Sequence, residues 1–188
     1  MAGFNIGLLI HCSARKRIRP VNPPGFDLDN EDYYTLTLPT LPAFMMYTGL
    51  EFVKTIQHLG LKPKSVFILS ARYGLIRSDQ PILPYEAKIT VKNYTTVVDG
   101  WVKSRRGNGG LNSFVNSRFD LLIVRLSRPY MMAFSYLTRK LGINPCIGSS
   151  INVYSPIMGP FENCRNVTLI RVRGQGDYVR RIMELPAS

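Results

Sequence analysis

The chain has 188 residues, a length that favours one domain with a substantial hydrophobic core. Its 24 Lys and Arg outnumber its 12 Asp and Glu, which gives a formal net charge of +12 at pH 7. A field of that sign attracts polyanions, of which nucleic acid is the commonest. We therefore expect a single domain over residues 1–188 that binds a polyanion, the alternative being a chain that is merely soluble and basic.

Cysteine content and hydropathy exclude several other classes of protein. Cys12, Cys146 and Cys164 are odd in number and form no Cys-x-x-Cys pair, so neither a disulfide framework nor a zinc site is predicted. No hydrophobic run approaches the roughly 20 residues of a membrane span. The N-terminus lacks the basic region and cleavage pattern of a signal peptide. We expect a cytoplasmic protein that uses no metal or cofactor and does not contact a membrane.

Hydrophobic patterns predict the elements along the chain. Apolar runs rich in β-branched or aromatic residues predict strands at 4–12, 65–71, 120–127 and 166–174, with a weaker one at 150–156. Helical spacing occurs at 42–60, 129–142 and 176–185, and less regularly at 93–104. Residues 19–41 form a long proline-rich insertion, and 105–110 form a flexible loop. Because strand and helix alternate, we predict a three-layer α/β fold, a mainly parallel sheet with helices on both faces.

Three of the predicted strands are followed by small hydroxyl residues and cations. These residues are Ser13 and Lys16 after the first strand, Ser70 and Arg72 after the second, and Arg125, Ser127 and Arg128 after the third. The carboxyl ends of parallel strands meet at the same edge of a sheet, which is where ligands bind in open α/β folds. Hydroxyl and guanidinium groups are common ligands of phosphate. The sequence therefore predicts an anion-binding crevice at this edge, although a single exit of this kind would more often just place a cation in solvent.

The segment FILSARYGLIRSDQPILPYEA, residues 67–87, leaves a buried strand and becomes strongly polar. We interpret it as one wall of the crevice, in which Gly74 permits a turn and two prolines hold Tyr85 and Glu86 in place. In the alternative interpretation, the prolines only stiffen a surface connection and Tyr85 belongs to the core.

Four motifs in the first half of the chain resemble those of a known group of families. They are CSARK at 12–16, MYTG-x-x-F at 46–52, ILSARYGLI at 68–76 and D-x-x-I-x-PYE at 79–86. This order resembles the YaaA-related families, which include the peroxide-stress protein YaaA and short domains of unknown function, over about residues 5–90. The resemblance implies work on nucleic acid, including chemistry at a base, because related domains occur beside base-modifying enzymes and in transglycosylase-type proteins.

Cleavage or exchange of an N-glycosidic bond needs a carboxylate near the sugar, because positive charge grows there in the transition state. Glu86 or Asp79 could supply it, while Tyr73 and Tyr85 could stack on an extruded base. The structural alternatives are a turn-forming Asp79 and an ion pair between Glu86 and a nearby arginine.

Cys12 raises a different possibility, a nucleophile in a phosphate-binding loop. The arginine such a loop needs at position 18 is replaced by Ile18, and a small hydrophobic role for Cys12 is the alternative. The sequence as a whole predicts a nucleic-acid-binding protein, with DNA favoured over RNA, that cleaves or exchanges a base. A non-catalytic binding module in a stress or mobile-element context is the other hypothesis.

Overall fold

The computed structural model describes residues 4–19 and 38–186. The strands within these ranges are β1 (Ile6–His11), β2 (Leu41–Pro42), β3 (Val66–Ser70), β4 (Gly74–Arg77), β5 (Pro81–Ile82), β6 (Phe119–Arg125), β7 (Gly148–Tyr154) and β8 (Val167–Ile170). The α-helices are α1 (Ala43–Met46), α2 (Leu50–His58), α3 (Tyr94–Lys103), α4 (Leu111–Val115), α5 (Arg128–Leu141) and α6 (Gln175–Met183). Most of the predicted insertion at 19–41 lies outside the described residues.

Six strands form the central sheet, in the order β4-β3-β1-β6-β7-β8. Every neighbouring pair is parallel except β3 and β4, which form an antiparallel hairpin at one edge. All five residues of β3 are buried, as expected for a strand covered on both faces. The predicted α/β fold with a mainly parallel sheet is confirmed.

The helices lie in two layers because the sheet is wound in two directions. From β1 the chain passes through α2 to β3, whereas from β6 it passes through α5 to β7 on the opposite side of β1. Right-handed crossovers in opposite directions place their helices on opposite faces of the sheet. Accordingly α2 packs against α6, and α3 packs against α5. Helix α5 has the predicted end signals, a proline in its first turn and Gly142 in the left-handed conformation after its last.

The predicted helix at 42–60 is two helices. Tyr47 leaves the helical conformation, with φ −85° and ψ 125°. The chain after β1 causes the break, because the N–H of Arg17 donates to Met46 O at 2.8 Å and the N–H of Thr48 donates to Arg15 O at 3.1 Å. This short antiparallel contact lets a new helix, α2, begin at Leu50.

The strands predicted at 150–156 and 166–174 are confirmed, whereas the flexible loop predicted at 105–110 is not. The weak candidate at 150–156 is β7, an interior strand of seven residues, whereas the stronger candidate at 166–174 is the short edge strand β8. Residues 105–110 are not a free loop, because the N–H of Asn108 donates to Tyr73 O at 2.8 Å and that of Gly110 donates to Leu75 O at 2.9 Å.

A disulfide joins Cys146 to Cys164, 18 residues apart, a pairing that the sequence did not predict, since no disulfide framework was expected. It links the segment before β7 to the segment before β8. Cys12 is a free, buried cysteine. Because disulfides are rare in a reducing cytosol, the cytoplasmic location stays a prediction. None of the helices in the described ranges has the length and apolar character that spanning a bilayer requires.

Candidate functional site

A crevice of about 630 Å³ lies at the carboxyl ends of β1 and β6, where the two winding directions of the sheet diverge. Ligands of open α/β sheets bind at such a point because loops from both sides leave a gap there. Its walls come from the end of β1 and the loop after it, the first turn of α2, the end of β6 and the start of α6. The lining residues used below are His11, Cys12, Ser13, Arg15, Gly49, Glu51 and Arg125.

The loop after β1 is held in a tight turn against the start of α2. The hydroxyl of Ser13 accepts a hydrogen bond from the N–H of Arg15 at 3.0 Å and donates to the Arg15 carbonyl at 2.9 Å. A Cβ added to Gly49 would lie 2.4 Å from the Ser13 hydroxyl, so glycine is required for this approach. Ser13 and the exposed Arg15 therefore lie beside the N-terminus of α2, whose first N–H groups have no acceptor within the helix.

A buried ion pair forms the inner wall of the crevice. Nη2 of Arg125 donates to Oε1 of Glu51 at 2.6 Å, and Nη1 donates to the Tyr154 carbonyl at 3.2 Å. The guanidinium also lies 4.9 Å from the centre of the Tyr178 ring. Arg125 was predicted to bind phosphate, but two of its three nitrogens are committed to Glu51 and Tyr154. Its role in this structure is to hold the Glu51 carboxylate in place.

His11 lies beside this pair with a defined tautomer. Its Nδ1 is 3.0 Å from the Arg125 carbonyl, and because a carbonyl only accepts, the proton is on Nδ1. Its Nε2 is then an acceptor, 4.0 Å from Oε2 of Glu51. Burial lowers the pKa of His11 below its ordinary value of 6.5, although the Arg125 carbonyl and the Glu51 charge oppose this. The ring is therefore neutral near pH 7.

Sequence reasoning missed both His11 and Glu51. Glu51 fell inside the helix predicted at 42–60, where a charged residue is unremarkable. His11 fell inside the strand predicted at 4–12, next to its end. The signal that could have revealed Glu51 is Gly49 two residues earlier, since a glycine in an apparent helix interior can mark a new helix start.

The segment after β3 is folded around a buried hydroxyl network. Oγ of Ser70 accepts hydrogen bonds from the N–H groups of Arg72 and Tyr73 at 3.2 and 3.0 Å. The Tyr85 hydroxyl lies 2.7 Å from both Ser70 Oγ and the Tyr47 hydroxyl, and burial raises its pKa so that it remains protonated. The Tyr73 hydroxyl accepts from the N–H of Leu83 at 3.0 Å.

These contacts change the roles predicted for three residues. Ser70 is fully buried, and Tyr73 and Tyr85 are 2% and 1% exposed. A side chain with no accessible face can neither bind a phosphate nor stack on a base. Ser70, Tyr73 and Tyr85 instead fix the turn that follows β3, which agrees with the alternative interpretation of Tyr85 as a core residue.

Lys16 and Cys12 lie between this network and the crevice. Nζ of Lys16 is 4.6 Å from the centre of the Tyr85 ring, and partial burial lowers its pKa. Sγ of Cys12 is 3.3 Å from the Tyr130 hydroxyl and accepts from the N–H of Ala71 at 3.4 Å. Cys12 is only 7% exposed, and it lies in the wall of the crevice.

The remaining predicted residues are divided between the two ends of the sheet. Asp79 forms an ion pair with Arg77 at 2.5 Å beyond β4, and because β4 runs antiparallel, this pair lies at the opposite end from the crevice. Glu86 is exposed, and its charge acts on Lys16. Arg72 is half-buried, with its guanidinium 5.5 Å from the Tyr73 ring.

Ser127 and Arg128 follow β6 at the start of α5. The Ser127 carbonyl accepts from the N–H of Met131 at 2.8 Å, and Arg128 is exposed. Within the described ranges, no group of three or more His, Cys, Asp or Glu side chains could hold a metal ion.

Comparison with models of protein families gives a match to part of the chain. A family of unknown function, DUF6884, matches residues 38–102, which span α1 to α3 and include Gly49, Glu51 and the turn after β3. No curated protein matches the chain. The matched segment contributes one side of the crevice, and β1 and β6 contribute the other.

Proposed function

We propose that this protein binds nucleic acid through phosphate groups that enter the crevice at the carboxyl ends of β1 and β6. The observation that carries the proposal is the meeting of two phosphate-binding features at the crevice mouth, the exposed guanidinium of Arg15 and the N-terminus of α2. The Ser13 hydroxyl, bonded to the backbone of Arg15, holds the turn that brings the two together.

The distribution of charge supports the same proposal. Loops at this end of the sheet are rich in cations, which would neutralise several phosphates of one strand. These cations are Arg15, Lys16, Arg17 and Arg19 after β1, Arg72 after β3, Arg128 after β6, and Arg171 and Arg173 after β8.

Glu51 favours a second, catalytic function at the same place. A carboxylate inside the crevice could stabilise the positive charge that develops on a sugar when an N-glycosidic bond breaks. We propose Glu51 for this role in place of Asp79, which lies at the other end of the sheet. Glu86, exposed near Lys16, stays a candidate. A non-catalytic binding module remains the competing function.

A salt series tests nucleic-acid binding. We expect the affinity for a short DNA or RNA strand to fall steeply between about 50 and 200 mM salt, because counterions are released from the phosphates. Arg15→Ala should weaken binding and reduce the salt slope by about one unit. Arg165→Ala is the matched control, since it removes an exposed arginine before β8 at the other end of the sheet. Salt-independent binding, or equal effects of the two variants, would contradict the proposal.

Product analysis tests the catalytic function. The protein is incubated with duplex, single-stranded and transfer RNA substrates, and released base or abasic sites are measured. Catalysis predicts that Glu51→Gln abolishes release while binding persists, because the carboxylate acts on the transition state. A protein without product on all three substrates is a binding module.

A further inference from the structure

The inner end of the crevice presents two hydrogen-bond acceptors side by side. The Nδ1–H of His11 donates to the Arg125 carbonyl, and Oε1 of Glu51 accepts a hydrogen bond from the Arg125 guanidinium. Nε2 of His11 and Oε2 of Glu51 remain, 4.0 Å apart. The described residues form no hydrogen bond to either atom, and 4.0 Å is too long for one between them.

The chemistry of these two atoms restricts what can bind between them. Both side chains are largely buried, being 19% and 11% exposed, and both line the crevice, so the two acceptors face a ligand there while being partly shielded from water. Neither atom carries a proton, so a partner must supply two donors spaced a few ångströms apart. Two hydroxyls on adjacent carbons meet this requirement. An ammonium group would also donate, but the cations at the crevice mouth, Arg15 among them, repel it.

We propose that His11 Nε2 and Glu51 Oε2 bind the 2′- and 3′-hydroxyls of a ribonucleotide. The inference rests on the proposed function, since the phosphate of the same nucleotide would lie at Ser13, Arg15 and the start of α2. Glu51 is in the first turn of α2, two residues after Gly49, so the hydroxyl-binding and phosphate-binding groups are neighbours. The site therefore selects a free ribonucleotide, or the 3′-terminal nucleotide of an RNA strand, where both hydroxyls are free, over the deoxy counterpart.

Comparing the affinities of matched ribo- and deoxyribonucleotides tests the inference on the unaltered protein. The four ribonucleoside 5′-monophosphates and the four 2′-deoxy 5′-monophosphates are titrated by calorimetry at pH 8 and low salt. The best-bound ribonucleotide should bind at least about 10-fold more tightly than its deoxy partner, because the hydrogen bond of the 2′-hydroxyl is lost and its acceptor is left without a donor. Equal affinities overturn the inference, and so does the absence of binding by every mononucleotide. Salt-dependent binding of oligonucleotides is measured separately, so the proposed function can survive either result.

A variant pair assigns the selectivity to these atoms. His11→Asn keeps a donor near the Arg125 carbonyl but removes the Nε2 acceptor, and we expect it to lower the ribo-to-deoxy ratio at least about 3-fold. His58→Gln is the control, since His58 bonds the Leu185 carbonyl outside the crevice. A ratio unchanged by His11→Asn in a folded protein would exclude His11 from hydroxyl binding and contradict the inference.

Discussion

At the scale of single residues, the direction of a side chain separates the crevice from the core. Ser13 and Ser70 both lie at the carboxyl end of a buried strand, and an arginine occurs two residues after each. Ser13 lines the crevice, whereas Ser70 is fully buried and bonded to Tyr85. The difference arises because the turn after β3 and the Tyr85 side chain pack on Ser70, whereas the loop after β1 places Ser13 beyond the end of its strand, against the start of α2. The same sequence pattern therefore has two different roles.

Tyr85→Phe tests the buried network. Removing the hydroxyl takes one buried hydrogen-bond partner each from Ser70 Oγ and the Tyr47 hydroxyl, so we expect a loss of about 1–3 kcal/mol in the free energy of unfolding. Urea denaturation measures it. Tyr136→Phe is the control, because its hydroxyl bonds Asp99 at a half-exposed site and its loss should cost about 0.5 kcal/mol or less. Similar stabilities for Tyr85→Phe and the original protein would contradict the network.

The lowered pKa of His11 predicts a dependence of stability on pH. Protonation of His11 is disfavoured in the folded protein by burial, and the unfolded chain binds this proton more readily. The contribution of neutral His11 to the free energy of unfolding is therefore complete above the ordinary pKa of 6.5. It is lost as the pH falls through the lower pKa that His11 has in the folded state. Glu51, the Arg125 guanidinium and Tyr130 face the same ring.

Thermal melting between pH 8 and pH 4 checks this dependence. The fall in melting temperature below pH 6.5 should be shallower for His11→Asn than for the original protein, because the variant lacks the titrating ring. Acidic residues titrate in both proteins, so the difference between the two curves isolates His11. Parallel curves would show that His11 has the same pKa in both states.

At the scale of elements, the sequence predicted which helices and strands exist better than it predicted where they begin and end. Periodicity identified β1, β3, β6, α3, α5 and α6, because each element buries a continuous apolar face. It failed at Tyr47, where pairing with the chain after β1 ends one helix, and at β4, whose short run GLIR was interpreted as part of the crevice wall. Both failures have one cause, since contacts between distant segments decided the local structure.

The disulfide between Cys146 and Cys164 predicts a measurable contribution to stability. It closes a loop that contains β7, and a loop of this length corresponds to about 3 kcal/mol in the chain-entropy account. The double variant Cys146→Ala/Cys164→Ala should lose about that much free energy of unfolding in urea. Dithiothreitol should destabilise the original protein similarly and leave the double variant unchanged. A reductant effect on both proteins would point to another cause.

At the scale of the whole molecule, the sheet joins segments that are far apart in the chain. β1 lies between β3 and β6, and pairs in parallel with both. The order of strands could not be read from the sequence, since alternation of strand and helix predicts a parallel sheet but not which strands are neighbours. For that reason the sequence predicted which strand ends share an edge but not that β1 and β6 would frame the crevice.

This topology predicts that the segment matching DUF6884, residues 38–102, does not fold alone. Without β1, one edge of β3 loses its partner and the buried residues Val66–Ser70 lose a neighbouring strand. We expect the isolated fragment to lack a cooperative urea transition by circular dichroism, in contrast to the full chain. A cooperative transition in the fragment would mean that β3 and β4 with their helices are sufficient for a core.

The loop at 105–110 covers the outer edge of β4, which keeps that edge from pairing with a strand of another copy of the chain. An exposed edge strand offers unpaired N–H and C=O groups to another chain, which promotes aggregation. Here Asn108 and Gly110 occupy the outward groups of β4, with the Asn108 side chain accepting from the N–H of Leu75 at 3.0 Å. A Cβ at Gly110 would lie 2.5 Å from the backbone nitrogen of Arg77, so the loop can lie this close only with glycine there. A chain whose loop is displaced would retain its crevice and yet present β4 as a template for its neighbours.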